Sequence, residues 1–152
     1  MKLTTRSSYG VRALVNLAIM YDDGHPVSIK YVSRKEGISS IYLEQIFSRL
    51  KKQGIVRSIR GPKGGYSLSK DPSQISVYEV VLALEGRVSP ARCFSDKKEM
   101  TVCKRAGKCA SKEVWDEVAR HIKDALESFS LKDLAKRTLQ IDPENREKAI
   151  IV

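Results

Sequence analysis

Residues 39–70 read SSIYLEQIFSRLKKQGIVRSIRGPKGGYSLSK. Leu43, Ile46, Phe47 and Leu50 recur at steps of three and four, the spacing of a helix with one buried face. Ser39 or Ser40 supplies the N-cap, and Gly54 stands where a C-terminal glycine belongs. Past Gly54 the period changes. IVRSI and YSLSK are short alternating runs on either side of RGPKGG, which predicts a hairpin with a loop longer than the tight two-residue kind.

Working outward, residues 5–21 place Tyr9, Ala13, Leu14, Leu17, Ala18 and Tyr21 on one helical face, and Gly24 and Pro26 end that helix. Ser28 fits as the N-cap of a short helix holding Ile29 and Val32, closed by Gly37. Three helices followed by a two-stranded wing is the plan of a winged helix-turn-helix, whose third helix enters the major groove of DNA. On the other side, Ser76-Val77-Tyr78-Glu79 reads as a capping box opening a helix through Val80, Val81 and Leu84, with Gly86 past its end. From Ser111 a longer run carries Trp115, Val118, Ile122, Ala125 and Phe129, widened by Val114 and Leu126. Such a stripe suits a helix-helix seam. Ser130-Leu131-Lys132-Asp133 caps a last short helix.

The predicted fold is therefore mainly α with a small β-wing. Residues 1–75 form a winged helix-turn-helix domain, and residues 76–140 hold a loop (about 87–110) and a long C-terminal dimerisation helix (about 111–129). A charged tail occupies 141–152.

The chain has 152 residues, 41% of them hydrophobic and 30% charged, which describes a folded, soluble protein. Arg6 and Arg12 interrupt the first apolar run, so it is neither a signal-peptide core nor a membrane span. The expected location is the cytoplasm, where thiols stay reduced. The net charge is +10, and between residues 30 and 70 ten Lys/Arg face only Glu36 and Glu44. So concentrated an excess points to a polyanion, here double-stranded DNA.

On the third helix, Ser40, Tyr42, Glu44, Gln45, Ser48 and Arg49 lie off the apolar face. Gln reads adenine edges, Glu accepts from the cytosine amino group and Arg reaches guanine or phosphate. Lys51, Lys52, Arg57 and Lys63 are expected on the DNA backbone. Arg60, beside Gly61, Gly64 and Gly65 at the wing tip, is placed to enter a minor groove. Glu44 is also readable as an exposed helix-former paired with Lys51 or Lys52.

All three cysteines, Cys93, Cys103 and Cys109, fall in one charged stretch, RCFSDKKEMTVCKRAGKC. Thiolates are soft ligands for iron-sulfur clusters or zinc, and Arg92, Lys104, Arg105 and Lys108 beside them favour the thiolate form. The spacing C-x9-C-x5-C lacks the C-x2-C pairs of a zinc ribbon.

YLEQIFSRLKKQGIVRSIRGPKGGY, SVYEVV, the opening MKLTTRSSYGVRAL and the cysteine segment together resemble the Rrf-type family of bacterial winged-helix regulators, in particular its cluster-sensing members, over about residues 1–140. The resemblance implies a homodimer on a palindromic operator, joined through the long helix. It further implies an iron-sulfur cluster on Cys93, Cys103 and Cys109, of the 2Fe-2S type with 4Fe-4S as the alternative. In those members a histidine three residues after the last cysteine is the fourth ligand. Lys112 stands there and cannot ligate iron, which leaves the fourth ligand open; His121 lies three helical turns further on.

The function so implied is a transcriptional regulator, mainly a repressor, of iron-sulfur cluster biogenesis genes. The alternatives are a same-fold regulator sensing nitric oxide or cysteine/redox status, and an interaction module that never meets DNA. His25 and His121 are far apart, there is no nucleophile motif, and GPKGG lacks the strand-to-helix setting of a phosphate-binding loop, so no enzyme is expected.

Overall fold

The computed structural model describes residues 4–86 and 108–145. Helices α1 (Thr5–Ile19), α2 (Ile29–Glu36) and α3 (Ser40–Lys52) lead into strands β1 (Val56–Ile59) and β2 (Gly65–Leu68). A short 3-10 turn (Pro72–Gln74) then precedes α4 (Val77–Glu85), α5 (Ser111–Glu127) and α6 (Leu131–Ile141). Among the described residues no helix is long and apolar enough to cross a membrane.

The caps decide where the helices start. The Ser28 hydroxyl accepts from Tyr31 N at 3.1 Å, and that of Ser39 accepts from Tyr42 N at 3.3 Å; Gly37, in the left-handed region at φ 66°, closes α2. Ser39 rather than Ser40 is thus the cap of α3. Tyr21, placed on the first helix by its spacing, lies beyond the end of α1.

One core joins both ends of the chain. Leu14 and Ala13 of α1, Val32 of α2, and Leu43, Ile46, Phe47 and Leu50 of α3 are fully buried, together with Val80 of α4 and Leu131 of α6. Each such aliphatic or aromatic side chain contributes about 1.5–3 kcal/mol on burial. Helix α1 is the hub, with α4 and α6 packed along it. Gly10 is why α4 comes so close, since a Cβ there would stand 2.2 Å from Leu84 Cδ1. A polar clasp ties α1 to α2: Arg12 Nε donates to Glu36 Oε2 at 2.8 Å, and buried Asn16 donates to Glu36 Oε1 at 2.8 Å.

The wing pairs Val56 with Leu68, Arg57 with Ser67, Ser58 with Tyr66 and Ile59 with Gly65, antiparallel. It is anchored by a third segment, because Val27 N donates to Tyr66 O at 2.8 Å and Tyr66 N to Val27 O at 2.9 Å. Gly65 makes this docking sterically feasible. A Cβ there would meet Val27 O at 2.4 Å and Ser28 N at 2.9 Å, both backbone atoms that cannot swing aside.

The capping box expected at Ser76–Glu79 is only half formed. Ser76 Oγ accepts from Glu79 N at 3.1 Å, but the Glu79 carboxylate is held by Lys70 Nζ at 2.9 Å instead of returning to the Ser76 amide. A nearby cation outcompetes a backbone N–H for a carboxylate, because charge-assisted hydrogen bonds are the stronger kind. At Ser130–Asp133 the box is complete, with Asp133 N donating to Ser130 Oγ at 3.1 Å and Ser130 N to Asp133 Oδ2 at 3.0 Å.

Helix α5 carries its apolar stripe largely outward. Ala119 is its one buried residue; Val114 and Trp115 are 57% and 41% exposed, and Phe129, just past its end, is 53% exposed. The α5 face turned inward rests on α4, where Lys123 Nζ lies 5.7 Å from the Tyr78 ring centre.

Candidate nucleic-acid interface

Burying Leu43, Ile46, Phe47 and Leu50 fixes how α3 presents the rest of its surface. Opposite the core, Ile41, Gln45, Ser48 and Lys52 follow one another at steps of three and four along a single outward strip, all exposed. On the edge nearest the wing stand Glu44 and Lys51, both exposed, with Lys51 Nζ donating to Ser58 Oγ of β1 at 2.7 Å. The pairing of Glu44 with Lys51 or Lys52 does not form among the described residues.

Tyr42 and Arg49 occupy the opposite edge. Tyr42 is half-buried, its ring edge-on to Tyr9 at 6.1 Å, and Arg49 lines a cleft with Arg6, Gln53 and the end of α4. Neither lies on the outward strip, so they can meet DNA only from the side of α3. Ser40, in the first turn of α3, is exposed.

The wing adds its cations beside this surface. Arg57, Arg60 and Lys63 are exposed, and none of them, nor Lys52, makes an ion pair among the described residues. The tip is shaped by Gly61, at φ 125°, and by Gly64, whose amide donates to Gly61 O at 2.9 Å. A Cβ on Gly64 would stand 2.4 Å from Ile59 O. Glu44 is the one acid on α3 and the wing, against Arg49, Lys51, Lys52, Arg57, Arg60 and Lys63, and Glu36 is held inside the α1–α2 clasp, so positive charge is in excess on this surface. Unpaired cations flanking an exposed polar helix face suit a phosphate backbone on either side of readable base edges.

Ile41 is not legible as part of this face from hydropathy. It is 72% exposed, an aliphatic side chain on the outer strip of α3. Its neighbours at steps of three and four are the signal that places it there.

Of the three cysteines, Cys93 and Cys103 lie outside the described residues, as does all of the segment 87–107 that holds them. Cys109 sits just ahead of α5, partly exposed, its Sγ 2.9 Å from Ser111 Oγ and its carbonyl accepting from Lys112 N at 3.1 Å. Lys112 is ion-paired to Asp116 across one turn of α5, and an ammonium has no lone pair to offer a metal. His121 is on an exposed face, its Nε2 2.9 Å from Glu117 Oε1. Among the described residues no group of three His, Cys, Asp or Glu side chains is poised around one point. A sulfur at the start of a 17-residue helix does lie at the positive end of the helix dipole, where a thiolate is favoured.

The other end of the cysteine segment is also anchored. Glu85, the last residue of α4, accepts from Ser7 Oγ at 2.7 Å and from Thr4 Oγ1, and lies 3.7 Å from Arg6 Nη1. Arg6 also reaches Leu84 O at 3.4 Å. Burial pushes the Glu85 carboxyl up, but the Thr4 and Ser7 hydroxyls and the Arg6 guanidinium outweigh it and hold it below the ordinary glutamate value. The described residues on either side of the segment are thus the end of α4, bolted to the start of α1, and Cys109 at the start of α5.

Comparison with known proteins gives a consistent result. Residues 3–137 match the family model Rrf2, described as an iron-dependent transcriptional regulator. The chain is 37% identical over 147 residues to the HTH-type transcriptional regulator IscR of Photorhabdus laumondii, covering 97% of this chain and 87% of that one. It is 38% identical over 134 residues to IscR of Yersinia pestis, covering 88% and 79%. Among solved structures, T. potens IscR superimposes with a TM-score of 0.73 at 32% identity, over 93% of this chain and 91% of that chain. CymR, the global cysteine regulator of B. subtilis, does so with a TM-score of 0.73 at 31% identity, over 90% and 98%.

Proposed function

The chain belongs to the Rrf2 family of transcriptional regulators, which bind DNA, and from that premise we propose that it represses genes of iron-sulfur cluster biogenesis under the control of a cluster held by Cys93, Cys103 and Cys109. Residues 1–75 read the operator and residues 76–140 hold the cluster and join two copies of the chain. The observation that carries the DNA-binding half is the excess of positive charge on α3 and the wing. Cys109 at the base of α5, and the IscR relatives, support the cluster half.

Ser40, Glu44, Gln45 and Ser48 present hydrogen-bonding groups to base edges, while Lys51, Lys52, Arg57, Arg60 and Lys63, with Gly61 and Gly64 shaping the tip, hold the backbone. Arg49 and Tyr42 approach from the edge. A reading head this small gains specificity by acting in pairs on a palindromic operator, and the exposed Val114 and Trp115 of α5, with Phe129 just past its end, offer the seam.

The donor set fits a cluster. Three thiolates account for all but one position of a four-ligand shell, and Lys112 is excluded from the fourth. When bound, a 2Fe-2S centre supplies a compact charge and a covalent tie between three points of the segment. The chain's own part is transmission. Glu85 grips the start of α1, α1 carries α3 and α6, and Cys109 opens α5, so a change in the segment's span pulls on helices that support the reading head.

The test is anaerobic purification followed by iron and sulfide analysis and footprinting on the upstream region of its own gene, repeated with each Cys→Ala variant. The expected result is bound iron, a protected palindrome, and loss of iron without loss of fold when any thiol is removed. Protein with neither bound iron nor preference among duplexes would sink the proposal. A colourless protein that still protects DNA would favour cysteine or redox sensing, the reading that the likeness to CymR supports.

A further inference from the structure

We infer that Ile41 is a specificity-determining residue that reads the C5-methyl group of a thymine in the major groove. The inference rests on the placement of α3 in that groove. Ile41 lies in the first turn of α3, the part of a recognition helix that reaches base edges, and it is 72% exposed. In the isolated fold it gains nothing there. A β-branched side chain is a mediocre helix former, and this one leaves most of its surface in water. The same stiffness holds an aliphatic surface in one orientation, which suits a methyl contact. Thymine alone among the bases presents such a methyl in the major groove.

The surroundings discriminate between DNA and a protein partner. The strip around Ile41 is Ser40, Gln45, Ser48 and Lys52, and the other exposed large apolar residues lie on other elements. One aliphatic side chain among polar and cationic neighbours is too small for a protein-docking patch and about the size of a single methyl contact. Gln45 follows Ile41 by four residues on the same strip, about 6 Å along the helix axis. Base pairs are spaced at about 3.4 Å, so the two side chains fall within about two base steps of each other. Gln45 suits an adenine edge, and the pair therefore favours an A·T-containing step in each half-site.

The experiment uses a duplex selected by the wild-type full chain from a randomised pool, remade with each thymine replaced singly by deoxyuridine, which lacks the methyl. At one thymine per half-site, the replacement is expected to weaken wild-type binding about fourfold, the worth of one buried methyl. Ile41→Ala, altered in both copies of the dimer, should bind the thymine duplex weaker by about that factor for each half-site and be indifferent to uracil at that position, whereas Ile41→Val should keep the discrimination. Lys52→Ala should lose affinity equally on both duplexes. Wild-type indifference to every replacement, or unchanged uracil sensitivity in Ile41→Ala, would overturn the role of Ile41 alone. If Gln45→Ala and Lys52→Ala also leave binding untouched, the placement of α3 in the groove falls with it.

Discussion

Replacing Gly65 with alanine tests how the wing is held and what its position contributes. The added Cβ would stand 2.4 Å from Val27 O and 2.6 Å from Val27 C, so β2 has to back away from the Val27 segment. Doing so breaks the two hydrogen bonds between Val27 and Tyr66, at 2.8 and 2.9 Å, and disturbs the Tyr66 ring, which packs on buried Phe47 at 4.6 Å. Two backbone bonds at about 1 kcal/mol each, plus some lost packing, give a destabilisation of about 2–3 kcal/mol, read as a lower denaturant midpoint. The displaced wing also carries Arg57, Arg60 and Lys63 with it. If all three contact phosphate, the slope of log affinity against log salt should become shallower by up to about 2.7 per reading head. The assay is a salt series by fluorescence anisotropy on the selected duplex, with the triple variant Arg57→Ala, Arg60→Ala, Lys63→Ala as the standard for complete loss. A Gly65→Ala protein with the wild-type midpoint would refute the steric argument. One that is destabilised yet keeps the full salt slope would refute the phosphate role of the wing.

Two further outcomes are expected. Glu85→Gln should cost stability at neutral pH, and the gap from wild type should close as pH falls below the ordinary carboxylate range. A depressed carboxyl contributes while it is ionised and is lost on protonation, so a gap that widens in acid, followed by thermal melts across pH, would contradict the assignment. Val114→Glu with Phe129→Glu, both at exposed positions, should yield a folded monomer by analytical ultracentrifugation, and an undiminished dimer would remove α5 as the seam.

Local chemistry makes much of this molecule legible in its residues alone. Ser28, Gly37 and Gly54 bracket their helices, the apolar steps of α3 bury as spaced, and the change of period after Gly54 is the wing. What local pattern does not supply is long-range. Nothing near Glu79 in sequence says that Lys70 will take its carboxylate, and nothing near Tyr42 says that Tyr9 will stand beside it. The outward stripe of α5 is visible as periodicity, but that its inner face settles on α4 is a long-range contact no local pattern gives. Ile41 is hidden from hydropathy, which sends isoleucine inward, and only its place in the helical period beside Gln45 and Ser48 turns it out.

The pairing of α1 with α6 bears on how the protein comes into being. Leu131 and Ala135 complete the same interior that Ala13 and Leu14 begin, so an emerging polypeptide has no finished interior until α6 has left the ribosome. By then the whole cysteine-bearing stretch has already been translated. A fragment released by a protease nick in that stretch would lack its inner lining, and such damage should silence the molecule instead of leaving behind a permanently active stub.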